Sequence, residues 1–273
     1  MSSPSKSDID ARLTLALAAA DTARGITLPA FDAGIAAANK GKGYYDPVTQ
    51  ADKDSETALR AAISSAFPHD AILGEEHSDT PGTSGWTWCL DPIDGTRGFV
   101  AGIPVWSTLI GVAFQGKPLV GVMDFPAINQ RFTGAHGVAH KQDSTGQTRL
   151  KTRACPRIND AVLSCTEPFS MFSRGQLAAF EMIRRTARFT RLGLDAFGYA
   201  LVASGRMDVV LEAGLKPYDI AAIIPVLEGA GGRITDWHGG PASKIGKDGG
   251  AVIGVGDPAL ADEIYPYLMR AMD

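Results

Sequence analysis

The most informative stretch in this sequence of 273 residues is Leu90-Asp91-Pro92-Ile93-Asp94-Gly95-Thr96. Residues 86–90 lead into it and are mostly apolar, which predicts a buried strand. If that strand ends there, Pro92 fixes a turn that aims the two aspartates at one point, with the Ile93 carbonyl between them. The sequence therefore predicts a cluster of oxygen donors at the end of a strand.

The motif Gly74-Glu75-Glu76, shortly before the same strand, adds two more carboxylates. Carboxylate and carbonyl oxygens suit magnesium, whereas zinc normally recruits histidine or thiolate, and the histidines here show no familiar ligand spacing. The backbone N–H groups of Gly95 and Thr96 are suited to hold a phosphate, especially if a helix begins there. A metal site beside an anion site predicts phosphate chemistry. Taken one residue at a time, an Asp-Gly turn and solvated surface glutamates explain the same pattern.

Composition predicts a folded protein that acts on small molecules. With 45% hydrophobic and 21% charged residues, the chain has ample core-forming material. Its formal net charge of -4 gives no general reason to bind nucleic acid or an anionic membrane, and no apolar run has the length of a signal peptide or a membrane span. The three cysteines lack CxxC spacing, which argues against a disulfide framework or a zinc cluster. We expect a small-molecule partner and a cytoplasmic location.

Strands and helices are mixed along the chain. Apolar residues at helical spacing predict a helix that Asp8 caps and Gly25 ends, and a second helix that stops before Pro68. Further helices are expected at 177–183, 196–203 and 219–228, and strands at 86–90, 108–114, 119–123 and 207–211. This order predicts a mixed α/β protein. We expect one domain over residues 1–273, with two closely packed halves as the alternative.

The motifs at 74–76 and 91–96, together with a later Asp219, resemble the signature of the inositol monophosphatase family. The resemblance extends from about Asp8 to the C-terminus, because residues 212–219 and 229–232 fall where the family's second signature is expected. It implies the layered α/β/α/β/α fold shared with fructose bisphosphatase, and a homodimer. Many members carry Trp immediately before the last aspartate, whereas this chain has Lys-Pro-Tyr there, a change in the pocket wall that bears on the substrate.

The resemblance also implies the roles of the site residues. About two or three Mg²⁺ ions are expected per site, and the implied ligands are Glu75, Asp91, the Ile93 carbonyl, Asp94 and Asp219. Thr96 and Glu75 are expected to orient a metal-activated water for in-line attack on phosphorus, and Gly95 and Thr96 to bind the phosphate. Asp52 resembles a family aspartate that hydrogen-bonds the active threonine and helps to place another metal. Its alternative role is to cap the helix that follows.

Within the family, residues 96–99, 106–111 and 212–219 look most similar to the histidinol-phosphatase branch. The implied reaction is hydrolysis of L-histidinol phosphate to L-histidinol and phosphate in histidine biosynthesis. Histidinol carries an ammonium and an imidazole, so its pocket should offer carboxylates, and the candidates are Asp195 and Glu212, the latter at a predicted strand end. Asp195 could instead cap the helix after it.

Other interpretations stay open. The alternatives are an inositol-1-monophosphatase or broad-specificity small-molecule phosphatase, a 3'-nucleotidase, and a metal-binding protein without catalysis. Arg97 is an exposed or ion-paired side chain as readily as a phosphate clamp. The segment Lys40-Gly41-Lys42-Gly43 resembles the mobile family loop that closes over the metals, with a plain connection as the alternative.

Overall fold

The structure, a computed structural model, describes residues 3–34, 36–40 and 47–270. Its helices are α1 (Lys6–Ala33), α2 (Gln50–Ala66), α3 (Thr96–Val100), α4 (Pro168–Met171), α5 (Arg174–Thr186), α6 (Ala196–Ala203), α7 (Pro217–Ile220), α8 (Ile223–Gly229) and α9 (Pro258–Met269). Its strands are β1 (Ala38–Asn39), β2 (Pro47–Val48), β3 (Ala71–Gly74), β4 (Trp86–Asp94), β5 (Ser107–Phe114), β6 (Lys117–Phe125), β7 (Gln130–Ala135), β8 (Val138–Asp143), β9 (Gly146–Arg149), β10 (Val162–Cys165), β11 (Phe189–Leu192), β12 (Val209–Leu215), β13 (Arg233–Asp236) and β14 (Gly250–Val255). None of the helices in these ranges combines the length and apolarity that a membrane crossing requires.

Two large sheets face each other across a layer of helices. The larger sheet has the order β3-β4-β5-β6-β7-β8-β9 and is antiparallel except for the β3–β4 pair. The smaller has the order β11-β10-β12-β14-β13, with parallel pairs on the β11 side. Helices α1 and α2 pack on the outer face of the larger sheet, α6 and α8 lie between the sheets, and α5 and α9 cover the smaller one. The predicted layered α/β/α/β/α fold is confirmed.

Strand β5 of the larger sheet is buried on both faces, which explains its continuous apolar sequence. In β5, Leu109 packs into the core between the sheets, while the next residue, Ile110, packs into the core under α1 because successive strand residues point to opposite faces. The strands predicted at 86–90, 108–114 and 119–123 are confirmed as parts of β4, β5 and β6.

The first helix is longer than predicted. Gly25 does not end α1, which continues to Ala33 and is closed by Gly34 at a left-handed φ of 66°. A single glycine weakens a helix but does not stop one that packs along a sheet. The start also differs: Ser5 is the cap, and Asp8 accepts the Ser5 N–H from the third helical position.

The helix predicted at 219–228 is two short helices, α7 and α8. Pro217 opens α7 at a position where its missing N–H costs nothing. Within what was expected to be one helix, Pro225 would clash with the carbonyl of Ala221, four residues earlier, and has no N–H to donate to it. The chain therefore breaks at residues 221–222 before α8 begins.

That break lies against three glycines of the larger sheet. Gly111, Gly121 and Gly134 stand side by side on β5, β6 and β7, because Gly111 pairs in register with Gly121 and Gly121 with Gly134. A Cβ atom on any of them would come closer than 3.0 Å to the backbone or side chains of residues 221–226. We call these three positions the glycine row. The sheet accepts α7 and α8 at this depth because the glycine row carries no side chains.

Substituting the central glycine should therefore be costly. We expect Gly121→Ala to lower the free energy of unfolding by about 1–3 kcal/mol, because the new methyl group forces the backbone at Ala222 away from the sheet. The measurement is urea unfolding followed by circular dichroism. The matched control is Gly25→Ala, where nothing lies within 4 Å of the added Cβ and better helix propensity should stabilise the protein by up to about 1 kcal/mol. Equal effects of the two changes would contradict this account of the glycine row.

Candidate active site

A cavity of about 490 Å³ lies where the end of β4 meets β12, α6 and α7. Its lining includes all the predicted metal, phosphate and substrate residues, namely Glu75, Asp91, Ile93, Asp94, Gly95, Thr96, Asp195, Glu212 and Asp219. Because these residues come from elements of both large sheets and from the helix layer, the cavity forms only when the layers assemble.

Two hydroxyl groups hold the turn at the end of β4. Thr108 Oγ1 donates a hydrogen bond to the Pro92 carbonyl at 2.8 Å, and Thr96 Oγ1 donates to the Ile93 carbonyl at 3.0 Å. The pairing of β4 with β5 shifts register between the two aspartates of the motif, and such an irregularity re-aims side chains that would otherwise alternate. Both aspartates consequently line the cavity.

Buried acidic groups crowd this end of the cavity. Burial raises the pKa of Asp91 and Asp94 well above the ordinary carboxyl value, and the charges of Glu75 and Asp195 respectively add to these shifts. Burial also raises the pKa of Asp219, to about 7. Within the described ranges, Oδ1 of Asp91 has no hydrogen-bond partner. A hard divalent cation fits this donor set, because it would bind the orphan oxygen and neutralise the repulsion.

The donors do not form a closed cage. No three acidic, histidine or cysteine side chains in the described part of the chain converge tightly enough to enclose an ion on their own. The carboxylates instead line the wall of an open cavity. Such a site suits Mg²⁺, which usually keeps several water ligands and binds through a few carboxylates together with substrate phosphate.

Lys40 holds both glutamates of the Gly74-Glu75-Glu76 motif. Its Nζ donates hydrogen bonds to Glu75 Oε1 at 2.7 Å and Glu76 Oε1 at 2.6 Å. Burial alone would lower the pKa of Lys40, but the two carboxylates outweigh it and raise that pKa. Lys40 belongs to the predicted mobile segment, of which residues 41–43 lie outside the described residues.

A fully buried glutamate outside the motifs, Glu56, positions the backbone around Gly74-Glu75-Glu76. Glu56 accepts the backbone N–H of Glu76 at 2.7 Å and that of His77 at 3.2 Å. A Cβ atom on Gly74 would overlap the Glu56 carboxylate, so the glycine of the motif permits the close approach. The spacing could have indicated Glu56, because it follows Asp52 by four residues and so lies on the same face of α2.

Asp94 connects the metal side of the cavity to α6. Its Oδ2 accepts the Ala196 N–H at 2.9 Å, so it is Asp94 that caps the helix. Asp195 stands at the cap position with φ 48° but makes no capping hydrogen bond with its side chain, so that alternative is wrong. Its carboxylate lies against Gly95, where a Cβ atom would be 3.1 Å away. Burial raises the pKa of Asp195 to about 6, although Arg97 opposes the shift.

Glu212 lies inside β12 rather than at its end, and a second strand orients it. Its Oε1 accepts hydrogen bonds from Thr166 N at 2.8 Å and Thr166 Oγ1 at 2.7 Å, while Oε2 has a weak thiol contact, with Cys165 Sγ at 4.0 Å. Burial raises the pKa of Glu212 to about 8, so a cationic ligand would favour its ionised form. Sequence reasoning missed Thr166, which is distant along the chain and carries no motif.

Asp52 does not hydrogen-bond the active threonine as expected, because the Thr96 hydroxyl is bonded to Ile93. Its Oδ2 instead accepts the N–H of Thr49 at 2.8 Å and the hydroxyl at 2.6 Å, which closes a capping box at the start of α2. Asp52 thus has the alternative role of capping the start of α2, which it fulfils from the third helical position. Asp52 Oδ1 is buried and lacks a partner among the residues described. A role in placing a metal stays a prediction.

Comparisons with known proteins agree on the family. Residues 8–271 match the sequence profile of the Inositol monophosphatase family. Bifunctional phosphatase IMPL2, chloroplastic, from Arabidopsis thaliana is 41% identical over 200 residues, which cover 72% of this chain but only 57% of that protein. Histidinol-phosphatase from Mycobacterium tuberculosis is 34% identical over 258 residues, 94% of this chain and 97% of that one. A solved inositol monophosphatase from Zymomonas mobilis is 35% identical and superposes with a TM-score of 0.83 over 97% of this chain and 100% of its own.

The raised pKa values predict how stability depends on pH and Mg²⁺. Burial raises the pKa of Asp219 to about 7 and that of Glu212 to about 8, so the folded, metal-free protein holds protons that the unfolded chain has released. Their contribution to stability is therefore lost as pH rises from about 4 to about 8. Mg²⁺ competes with the proton on Asp219, so it should raise Tm more at about pH 8 than at about pH 5.5.

Thermal unfolding with and without Mg²⁺ at the two pH values measures this difference. Asp91→Asn is the matched variant, since it removes a charged donor with little change of shape and should shrink the Mg²⁺-induced rise in Tm. A rise of equal size at both pH values, or one that survives Asp91→Asn undiminished, would contradict the expected metal site.

Proposed function

This chain is a phosphatase of the inositol monophosphatase family, and we propose that it hydrolyses L-histidinol phosphate to L-histidinol and inorganic phosphate. The observation that carries the choice of substrate is the pair of carboxyl groups at Asp195, which is half-buried, and Glu212, which is buried, in the same cavity as the metal-side aspartates. Burial raises the pKa of both groups. A cationic alcohol would compensate their charge, whereas a neutral polyol would leave the buried Glu212 carboxylate without a counter-charge.

The similarity to the Mycobacterium tuberculosis histidinol-phosphatase supports this choice, since it covers nearly all of both chains. The second candidate is an inositol monophosphatase, which the similarity to the Zymomonas mobilis structure favours. The two candidates share the reaction and differ in the alcohol. The side chains at 195 and 212 therefore decide between them.

The family is generally Mg²⁺-dependent, and the donor set of this cavity fits the ion. We assign about two or three ions to the ligands Glu75, Asp91, the Ile93 carbonyl, Asp94 and Asp219. Bound Mg²⁺ supplies the positive charge that neutralises the phosphoryl oxygens and makes water more acidic. The carboxylates hold that charge in place, and Lys40 balances Glu75 and Glu76 before substrate arrives.

The chain's own groups position the reactants. We assign Glu75 and Thr96 to orient the attacking water, with Asp52 assisting on the metal side, and the backbone N–H groups of Gly95 and Thr96 to bind the phosphate. Gly95 has a left-handed φ of 79° at the start of α3, which a residue with a side chain adopts only with strain. Attack is in line with the leaving alcohol, and no side chain needs to form a covalent intermediate. We further propose a single domain, a homodimer and a cytoplasmic location.

A substrate panel tests the proposed function. Phosphate release with Mg²⁺ should give a higher kcat/KM for L-histidinol phosphate than for inositol 1-phosphate or adenosine 3',5'-bisphosphate, because only histidinol brings cations to Asp195 and Glu212. A preference for inositol 1-phosphate would replace the proposed substrate, and a preference for the bisphosphate would make the protein a 3'-nucleotidase. Absence of turnover on all three would favour a metal-binding protein without catalysis.

The proposed metal site is tested by Asp94→Asn. We expect kcat/KM to fall by about 100-fold or more, because a direct ligand loses its charge and loss of an outer-shell partner alone costs about 10–100-fold. The amide oxygen can still accept the Ala196 N–H, so α6 should keep its cap and Tm without metal should stay near that of the wild type. Asp262→Asn is the control, since Asp262 pairs with Arg233 on the exposed surface. Unchanged turnover of Asp94→Asn would rule out the proposed site.

A further inference from the structure

Tyr199 is one of the residues that line the active-site cavity, and the fold leaves its buried hydroxyl group without a partner. The side chain lies in α6 and is only 2% exposed. Its hydroxyl makes no hydrogen bond to any residue that the structure describes. Buried hydroxyl groups are normally paired, and an unpaired one costs free energy. A buried donor left over at a cavity wall points to a ligand that completes it.

The ring is held firmly, so the hydroxyl cannot turn away to another partner. Tyr199 packs in the core between the two sheets, and its edge lies over Gly254 of β14. A Cβ atom on Gly254 would be 2.8 Å from Cε1 of the ring and 2.9 Å from Cδ1. The glycine therefore makes the space that the aromatic ring fills. Its position is set by packing and does not depend on any hydrogen bond of its own.

The surroundings of the hydroxyl identify the ligand's chemistry. Burial raises the pKa of Tyr199, and the charges of Glu212, Asp94 and Asp219 raise it further, so the hydroxyl keeps its proton and can donate a hydrogen bond. Glu212 also has capacity for a further hydrogen bond, because its Oε2 has only the thiol of Cys165 at 4.0 Å. In one cavity lining, the two side chains thus offer a carboxylate oxygen and an unpaired hydroxyl.

We propose that Tyr199 determines specificity by hydrogen-bonding a polar group on the alcohol part of the substrate, next to the cationic group that Glu212 binds. This inference rests on the proposed phosphatase function and deepens it. The hydroxyl can donate to a ring nitrogen or accept an N–H from an ammonium. An alcohol that lacks such a group leaves the hydroxyl unpaired in the complex, and a buried polar site discriminates strongly against such analogues.

Tyr199→Phe tests the proposal, because it removes the hydroxyl and keeps the ring over Gly254. We expect kcat/KM for L-histidinol phosphate to fall at least about ten-fold further than kcat/KM for phenyl phosphate, whose alcohol has no polar group beyond the ester oxygen. We also expect the rise in Tm caused by L-histidinol to shrink. In the absence of ligand the variant should be at least as stable as the wild type, since an unpaired hydroxyl has been removed.

Tyr265→Phe is the matched control. The Tyr265 hydroxyl is already bonded to Thr235 Oγ1 at 2.8 Å, and Tyr265 is not part of the cavity lining. This variant should lose stability and keep the ratio of the two kcat/KM values. The contrast separates a hydroxyl that the fold uses from one that the substrate uses.

Two results would overturn the proposal: equal losses on both phosphates, or a ligand-free Tm that falls in Tyr199→Phe as it does in the control. The proposed substrate fails in a different way, namely when the wild-type enzyme prefers inositol 1-phosphate. In that case the same ratio is measured with inositol 1-phosphate in place of L-histidinol phosphate. A selective loss there still supports the role of Tyr199, and an unselective one overturns it.

Discussion

The close approach of α7 and α8 to the larger sheet is the constraint on which the rest of the site depends. Helices normally lie well above a sheet because side chains fill the gap, but the glycine row at 111, 121 and 134 removes three of those side chains in adjacent positions. The position of Asp219 follows from this contact, because Asp219 lies in α7, directly before the break that packs on the glycine row. A cavity wall that holds Asp219 and a strand end that holds Asp91 and Asp94 thus meet through backbone packing.

Charge distribution in the cavity follows from that packing. The assembled layers bury several carboxyl groups together, and Lys40 is bonded to two glutamates at one edge. Burial raises the pKa of Asp91, Asp94, Asp219 and Glu212. The fold alone therefore does not neutralise this set. Under the proposed function, added cations would do so from two directions, metal at the aspartates and the substrate's own charge at Glu212. The proposed catalysis and binding would then use an electrostatic imbalance that folding creates.

Sequence patterns predicted more of the fold and of the metal side of the cavity than of the substrate side. Continuous apolar strands, helical spacing and the turn around Pro92 are local signals, and β4, β5, β6 and α6 follow them. The end of α1 could not be predicted in this way, because the packing of α1 on the sheet outweighs the weak helix propensity of Gly25. The break before α8 could not be predicted either, because Pro225 lies in an apolar run that otherwise favours a continuous helix. Thr166 and Tyr199 act through contacts between distant segments, for which the sequence has no local pattern. Asp94 was expected as a metal ligand; that it also caps α6 depends on how the layers meet.

The contact between Gly95 and Asp195 links two positions that have separate tasks. Because a Cβ atom at 95 would lie 3.1 Å from the Asp195 carboxylate, the loop assigned to phosphate and the side chain assigned to the alcohol occupy adjoining space. This contact constrains how substitutions at 195 could change the substrate. A bulkier residue at 195 would displace the loop assigned to the phosphate, which all the candidate substrates have in common, whereas a smaller residue would leave that loop in place. Paths of descent in which this enzyme acquires a new alcohol preference without first losing turnover should run through Ala, Ser or Gly at this position.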